Sequence, residues 1–345
     1  MDGSVHAFLA DIWFVLIGLI LMLYVITDGF DLGVGVVSLF ACDEERRSLM
    51  MASLGSVWDA NETWLVLLGG ALFGAFPLAY ATLMHALYIP LIAMLAGLIF
   101  RAVAFEFREL AQRKQPWNIA FGAGSLLAAL SQGFALGAVM GGLPVEGGHY
   151  VGGAWDWLTP FSSLVAVGVV AGYALLGSTY LIIKTSGEVQ QRSYRRALIA
   201  AGLMGLAGIA VSFWTPLLHE GVAHERLEVS MLYYLLPLPV LALVAFGLLL
   251  RALMQRHEVA PFLWSIAIFV LSFAGLAVIL YPHLIPPSVT VYQAAAPSRT
   301  LVFMLSGIGM LLPIMLVYNA YQYMVFRGKV EMPGYGEEGA SAETH

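Results

Sequence analysis

The chain has 345 residues, of which 60% are hydrophobic and 11% charged, with a formal net charge of -6 and a mean hydropathy of +0.83. Soluble domains carry about a quarter charged residues, so this is an all-α polytopic membrane protein, and nothing in it points to a nucleic acid partner. A single cysteine, Cys42, excludes an intramolecular disulfide and any multi-cysteine metal site.

The opening "MDGSVHAFLAD" has no Lys or Arg, and the apolar run that follows is too long for a signal-peptide core, so it reads as a retained span. With about 20 apolar residues needed per crossing, nine spans are expected, at 11–39, 50–76, 78–108, 117–141, 158–184, 195–215, 229–253, 260–281 and 299–326. Pro77, in "GAFPLAYAT", marks a tight helical hairpin between the second and third. A loose rhythm shared by "GLILMLYVITDGFDLG" and "GYALLGSTYLIIKTSGE" suggests two four-helix bundles plus one peripheral helix. Residues 1–330 then form one transmembrane domain, and 331–345 a polar cytoplasmic tail.

Nine spans place fourteen of the 16 basic residues on one side, leaving Arg226 and Arg299 on the other; an even number spoils this segregation. By the positive-inside rule the N-terminus lies outside and the C-terminus in the cytoplasm. The outer loops carry Trp155, Trp157, Tyr281 and Tyr292, which suit an interfacial aromatic belt.

Against this apolar background four carboxylates stand out. Span one contains Asp28 and Asp31 in "YVITDGFDLGVG"; span two contains Asp59 and Glu62 in "VWDANETW". Counting about 1.5 Å per residue from the cytoplasmic boundary, Asp31 and Asp59 lie about 14 Å deep, and Asp28 and Glu62 about 18 Å deep. Each pair is spaced i, i+3 and shares a helix face, so two consecutive antiparallel helices line one polar seam. Carboxylates at such depth cost at least about 2.5–3.5 kcal/mol and commonly mark proton or ion paths. They serve equally to cap a helix break at Gly29 or Gly33, with Asn61 and Thr63 closing a hydrogen-bond network. Gly29, Gly33 and Gly35, and Gly69, Gly70 and Gly74, permit close helix approach in either case.

A transmembrane haem needs axial ligands from facing helices. His6, His149, His219, His224, His257, His283 and His345 fall in loops, ends or tails, and only His85 lies inside a span, where it reads as a packing residue. No phosphate-binding loop, hydrolytic triad or zinc spacing is present. The chain is therefore expected to ligate neither haem nor metal.

"TDGFDLGVG", "VWDANETWLVLLGGALFGAFP", "FRAVAFEFR", "GSTYLIIKTSGE", "YPHLIPPS" and the terminal "YQYMVFRGKV" together resemble subunit II of the bd-type terminal quinol oxidases, over residues 10 to 330. "YPHLIPP" and "VYQAAAPS" are most similar to the cyanide-insensitive branch. The resemblance implies a heterodimer with a haem-bearing subunit I, in some members with a very small third subunit, in the bacterial cytoplasmic membrane. That complex oxidises quinol and reduces dioxygen to water, taking protons from the cytoplasm and building a proton gradient. Two b haems and haem d belong to subunit I, and some members hold a structural quinone in subunit II. Subunit II supplies assembly, part of a proton path and part of a hydrophobic oxygen route.

Carried over by motif, Asp59 joins the proton path with Trp58 beside it, Asp28 matches the first-span motif, and Asp31 lies in the same motif. Trp58 and Trp64 are expected at the oxygen route or the subunit contact. Glu62 stands where some members have glutamine, so an ionisable group there is not essential to the common mechanism. Arg101, Glu106 and Arg108 match the charged end of span three and imply structural ion pairs. The partner's contact is expected on a glycine-rich or aromatic face of span one, two or three. Two other readings are a proton- or cation-coupled secondary transporter, to which paired acidic residues in glycine-interrupted spans also belong, and an assembly subunit with no internal path.

Overall fold

The computed structural model describes residues 3–55, 57–218 and 236–330. The expected tail, His219, His224, Arg226, His345 and the start of the seventh span lie outside them. The fold is all-helical, with two short β-hairpins in connections that the sequence marks as long loops. In chain order the helices are α1 (Gly3–Ser38), α2 (Glu44–Ala52), α3 (Trp58–Ala75), α4 (Pro77–Ala86), α5 (Tyr88–Arg108), α6 (Gln115–Gly141), α7 (Pro160–Lys184), α8 (Gly187–Leu218), α9 (Pro237–Met254), α10 (Ala260–Leu280), α11 (Val291–Ala294) and α12 (Ser298–Val325). The hairpins are β1–β2 (Val145–Glu146, His149–Tyr150) and β3–β4 (His283–Ile285, Val289–Thr290).

Among the described residues, eight helices are long and apolar enough to cross a membrane. The ninth long helix of the bundle, α3, falls short of that apolar measure because Asp59, Asn61, Glu62 and Thr63 crowd its start. Two expected spans are each broken in two. The run from residue 50 to 76 is divided between α2 and α3: α2 is a separate amphipathic helix, N-capped by Asp43, whose side chain accepts from the Arg46 amide, and Gly55 lies in the turn that follows. The run from 78 to 108 divides at Leu87, because Pro90 has no N–H for the carbonyl one turn earlier. Where the tight hairpin is expected, Phe76 separates α3 from α4, whose first residue is Pro77. Helix α7 begins at a capping box, with Thr159 and Ser162 bonding reciprocally.

Helix α1 is the hub, packing on α3, α6 and α7. With α3, α4, α5 and α6 it makes one helical group; α7 to α10 make the other, joined through α1–α7 and α6–α7; α12 lies outside both, against α3 and α1. The α1–α7 crossing depends on glycine: a Cβ on Gly33 would stand 1.8 Å from the Tyr173 carbonyl oxygen, and one on Gly177 2.3 Å from the Val34 nitrogen. Backbone contact this close pulls the C-terminal third of α1, residues 28–38, entirely into the protein. Gly69 and Gly70 on α3 behave otherwise than expected, because a Cβ on either would meet nothing within 4 Å.

Candidate functional site

The centre of the first helical group is charged. Asp28 and Asp31, one turn apart on α1, are fully buried, as is Asn61 on α3. Arg101, on α5 and only 2% exposed, sends Nη2 to 2.9 Å from Asp28 Oδ1 and 2.5 Å from Glu62 Oε1. Asp31 is held differently: its Oδ2 accepts from Asn61 Nδ2 at 2.8 Å, and Asn61 Oδ1 accepts from the Tyr323 hydroxyl of α12 at 2.7 Å. Asp31 Oδ1 and the Arg101 Nε and Nη1 atoms are buried without a hydrogen-bond partner. One guanidinium thus pairs with two carboxylates, Asp28 and Glu62, the latter at the edge with its side chain 26% exposed, and Asp31 stands one turn along α1 as the third carboxylate of the cluster.

A second string of polar groups lies one turn N-terminal of Asp28 on α1. Gln132 of α6 donates to the Tyr24 hydroxyl at 2.7 Å and accepts from Tyr173 of α7 at 2.6 Å. Tyr180, stacked on Phe30 at 4.3 Å between centroids, donates to the Ser53 carbonyl at 3.0 Å. The sequence signals the carboxylates, because charge in an apolar run breaks the pattern. Tyr24, Gln132, Tyr173 and Tyr323 carry no such mark, since a lone tyrosine or glutamine in a span has many packing explanations.

Several expected placements change. Asp59 lies in the first turn of α3 and is exposed, because α3 starts at Trp58 rather than near residue 50. It does not share the buried face with Glu62; Asn61 meets Asp31 in its place. Thr63 closes no network: its hydroxyl bonds back to the Ala60 carbonyl at 2.6 Å. Trp58 packs on Phe105 at 5.5 Å between centroids, and the two line a crevice with Leu54, Ala102 and Phe121 that reaches Arg101. Trp64 is 1% exposed, so this chain's own core covers it and leaves no surface for a subunit contact.

The charged end of the third span also separates. Arg101 belongs to the carboxylate cluster. Arg108 Nη2 pairs with Glu44 of α2 and reaches Ser48 Oγ at 2.7 Å, while its Nε donates to Asn118 Oδ1 at 2.6 Å. Glu106 is exposed and joins no ion pair among the described residues, since the helical turn that buries Arg101 and Arg108 on one face carries it to the other. His85 is exposed on α4 and packs edge-on against Tyr150, 5.4 Å between ring centroids. Among the described residues no group of three or more His, Cys, Asp or Glu could hold a metal ion.

One face of α3 carries Asp59, Thr63, Val66, Gly70 and Phe73, all exposed. It runs along the helix beside Glu62, and at its far end Tyr80 of α4 packs edge-on against Phe73, 5.1 Å between ring centroids.

Comparison with known proteins gives one direction throughout. Residues 9–326 match the family model described as cytochrome bd terminal oxidase subunit II. The Escherichia coli K12 protein named cytochrome bd-I ubiquinol oxidase subunit 2 is 31% identical, covering 92% of this chain and 94% of that one. The Bacillus subtilis protein named cytochrome bd ubiquinol oxidase subunit 2 is 28% identical, over 94% and 97%. The solved bd oxidase of Geobacillus thermodenitrificans contains a chain with the same fold: TM-score 0.75, 18% identity, covering 92% of this chain and 98% of that one.

Proposed function

The chain belongs to the cytochrome bd terminal oxidase subunit II family, and from that membership we propose that its buried charge cluster is part of a cytoplasmic proton path that crosses to subunit I at Asp59 and Glu62. The transporter reading is not favoured by this membership, which makes the chain part of a quinol-oxidising complex. Two b haems and haem d, with the quinol and oxygen chemistry, are read as the partner's. The described residues offer no facing pair of buried histidines, since His85 is exposed and His6 bonds Ser298 Oγ at 3.0 Å.

The observation that carries this reading is the exposure of Asp59 beside a buried ionic cluster. A carboxylate left against lipid costs at least about 2.5–3.5 kcal/mol, so the α3 face from Asp59 to Phe73 calls for a cover. A neighbouring helix answers it, with apolar groups opposite Val66, Gly70 and Phe73 and a donor, cation or water opposite Asp59. With one guanidinium for three carboxylates, the cluster behind that face is neutral only when two protons sit on it. Protons enter from the side where Arg46, Arg47, Arg113 and Lys114 gather, which is read as the cytoplasm of a bacterium, with the N-terminus outside.

The test is Asp59→Asn in the purified two-subunit complex. Quinol-driven oxygen uptake per haem is expected to fall by roughly tenfold or more with haem content intact. Loss of haem at unchanged turnover per haem would show instead that α3 serves assembly alone.

A further inference from the structure

Within the cluster one side chain is oriented by a residue far away in sequence. The Asn61 amide has an N–H end and a carbonyl end, and only one can face Asp31. In the structure the N–H end does, donating to Asp31 Oδ2 at 2.8 Å and lying 3.4 Å from the Thr27 carbonyl oxygen. The carbonyl end is taken by the Tyr323 hydroxyl at 2.7 Å. We propose that Tyr323 of α12 is a positioning residue for proton transfer, which keeps the Asn61 N–H on Asp31 and thereby sets how tightly Asp31 holds a proton. This rests on the proton-path reading.

The chemistry follows from what each amide end tolerates. A donated N–H favours the carboxylate; a carbonyl oxygen facing Asp31 Oδ2 is acceptable only when Asp31 carries a proton to donate. Without the Tyr323 hydroxyl, Asn61 Oδ1 is left buried and unbonded in its present orientation, which is unfavourable. The turned amide, with a protonated Asp31 opposite, becomes the competing arrangement. Removing one hydroxyl on α12 therefore makes Asp31 retain its proton to higher pH.

Other charged or titratable groups face Asp31 from each neighbouring element: Asp28 on its own helix, Glu62 on α3, Arg101 on α5, Tyr180 on α7 and Tyr323 on α12. None of the others contacts the Asn61 amide, so the effect of Tyr323 is separable from theirs. Tyr323 is also held in register from below. The Val330 amide donates to the Lys184 carbonyl at 2.8 Å, Lys184 Nζ bonds the Phe326 carbonyl, and Lys329 reaches Glu258 at 2.8 Å, which ties the end of α12 to α7 and the α9–α10 connection.

The experiment compares Tyr323→Phe, Asp31→Asn and the double variant in the intact two-subunit oxidase, reading oxygen uptake per haem against pH, with haem content as the control for assembly. Y323F is expected to move one limb of the profile to higher pH by about one unit, and to add no shift in the D31N background. A limb unmoved by Y323F while D31N changes the profile overturns the positioning role and leaves the proton-path reading standing. A D31N profile like that of the parent removes Asp31 from the path and overturns the positioning role, while Asp59→Asn continues to test the path by itself. A shift persisting in the double variant shows that Tyr323 acts elsewhere and also overturns the proposal. Where Y323F gives too little complex, Asn61→Ala removes the donor directly; a shift in the same direction supports the proposal, and an unmoved profile defeats it.

Discussion

Arg101 matters most for what its removal leaves behind. Breaking a buried pair by deleting one partner costs about 3–5 kcal/mol, whereas replacing both partners by neutral groups is often far cheaper. Arg101→Gln is accordingly expected to lower the yield and thermal stability of the complex more than the double replacement with Asp28→Asn. Thermal unfolding in detergent checks this, and equal losses would mean that Arg101 contributes packing rather than charge. The carboxylates of this cluster are legible in the sequence because a charge amid hydrocarbon residues has few innocent explanations. The guanidinium that serves them is not: Arg101 sits near other cations at a span's end, where positive charge is ordinary. Only the reach of its side chain from α5 to Asp28 on α1 and Glu62 on α3 shows that it faces inward. Asn61 is an intermediate case, visible as polar in sequence but silent about which end of its amide faces Asp31.

At the scale of elements, the spans are read well from hydropathy and their interruptions less well. An apolar run such as 78–108 looks continuous until Pro90 forfeits a hydrogen bond inside it, and a short amphipathic helix such as α2 has too few apolar residues to separate itself from the span that follows. Close approach is also only half visible, because glycine spacing marks permissive positions without saying which are used. Gly33 is used and Gly70 is open within this chain. Gly33→Ala would place a methyl group on the Tyr173 carbonyl and force α1 and α7 apart, at a cost of at least about 1–3 kcal/mol. Gly202→Ala on α8, where nothing lies within 4 Å, is expected to be silent. The fraction of monodisperse chain on size exclusion compares them, and equal behaviour would refute the α1–α7 contact as described.

For the whole molecule, the polar start of α3 bears on how the chain enters the membrane during synthesis. Asp59, Asn61 and Glu62 make α3 a poor candidate for partition into lipid by itself, with each charge opposing entry by about 2.5–3.5 kcal/mol. The cation that compensates Glu62 and Asp28 is made later, on α5. Helices α1 to α5 are therefore expected to commit to the bilayer as one unit, with α3 waiting near the translocon until Arg101 emerges. A glycosylation tag at the α4–α5 break is expected to stay unmodified in nascent chains that stop before α5 and to be modified once α5 and α6 are present. Modification in the shorter chains would show that α3 inserts unaided, and modification in neither would contradict the proposed orientation. The charge cluster that we propose as a proton path is thus also expected to set the order in which the chain can be built.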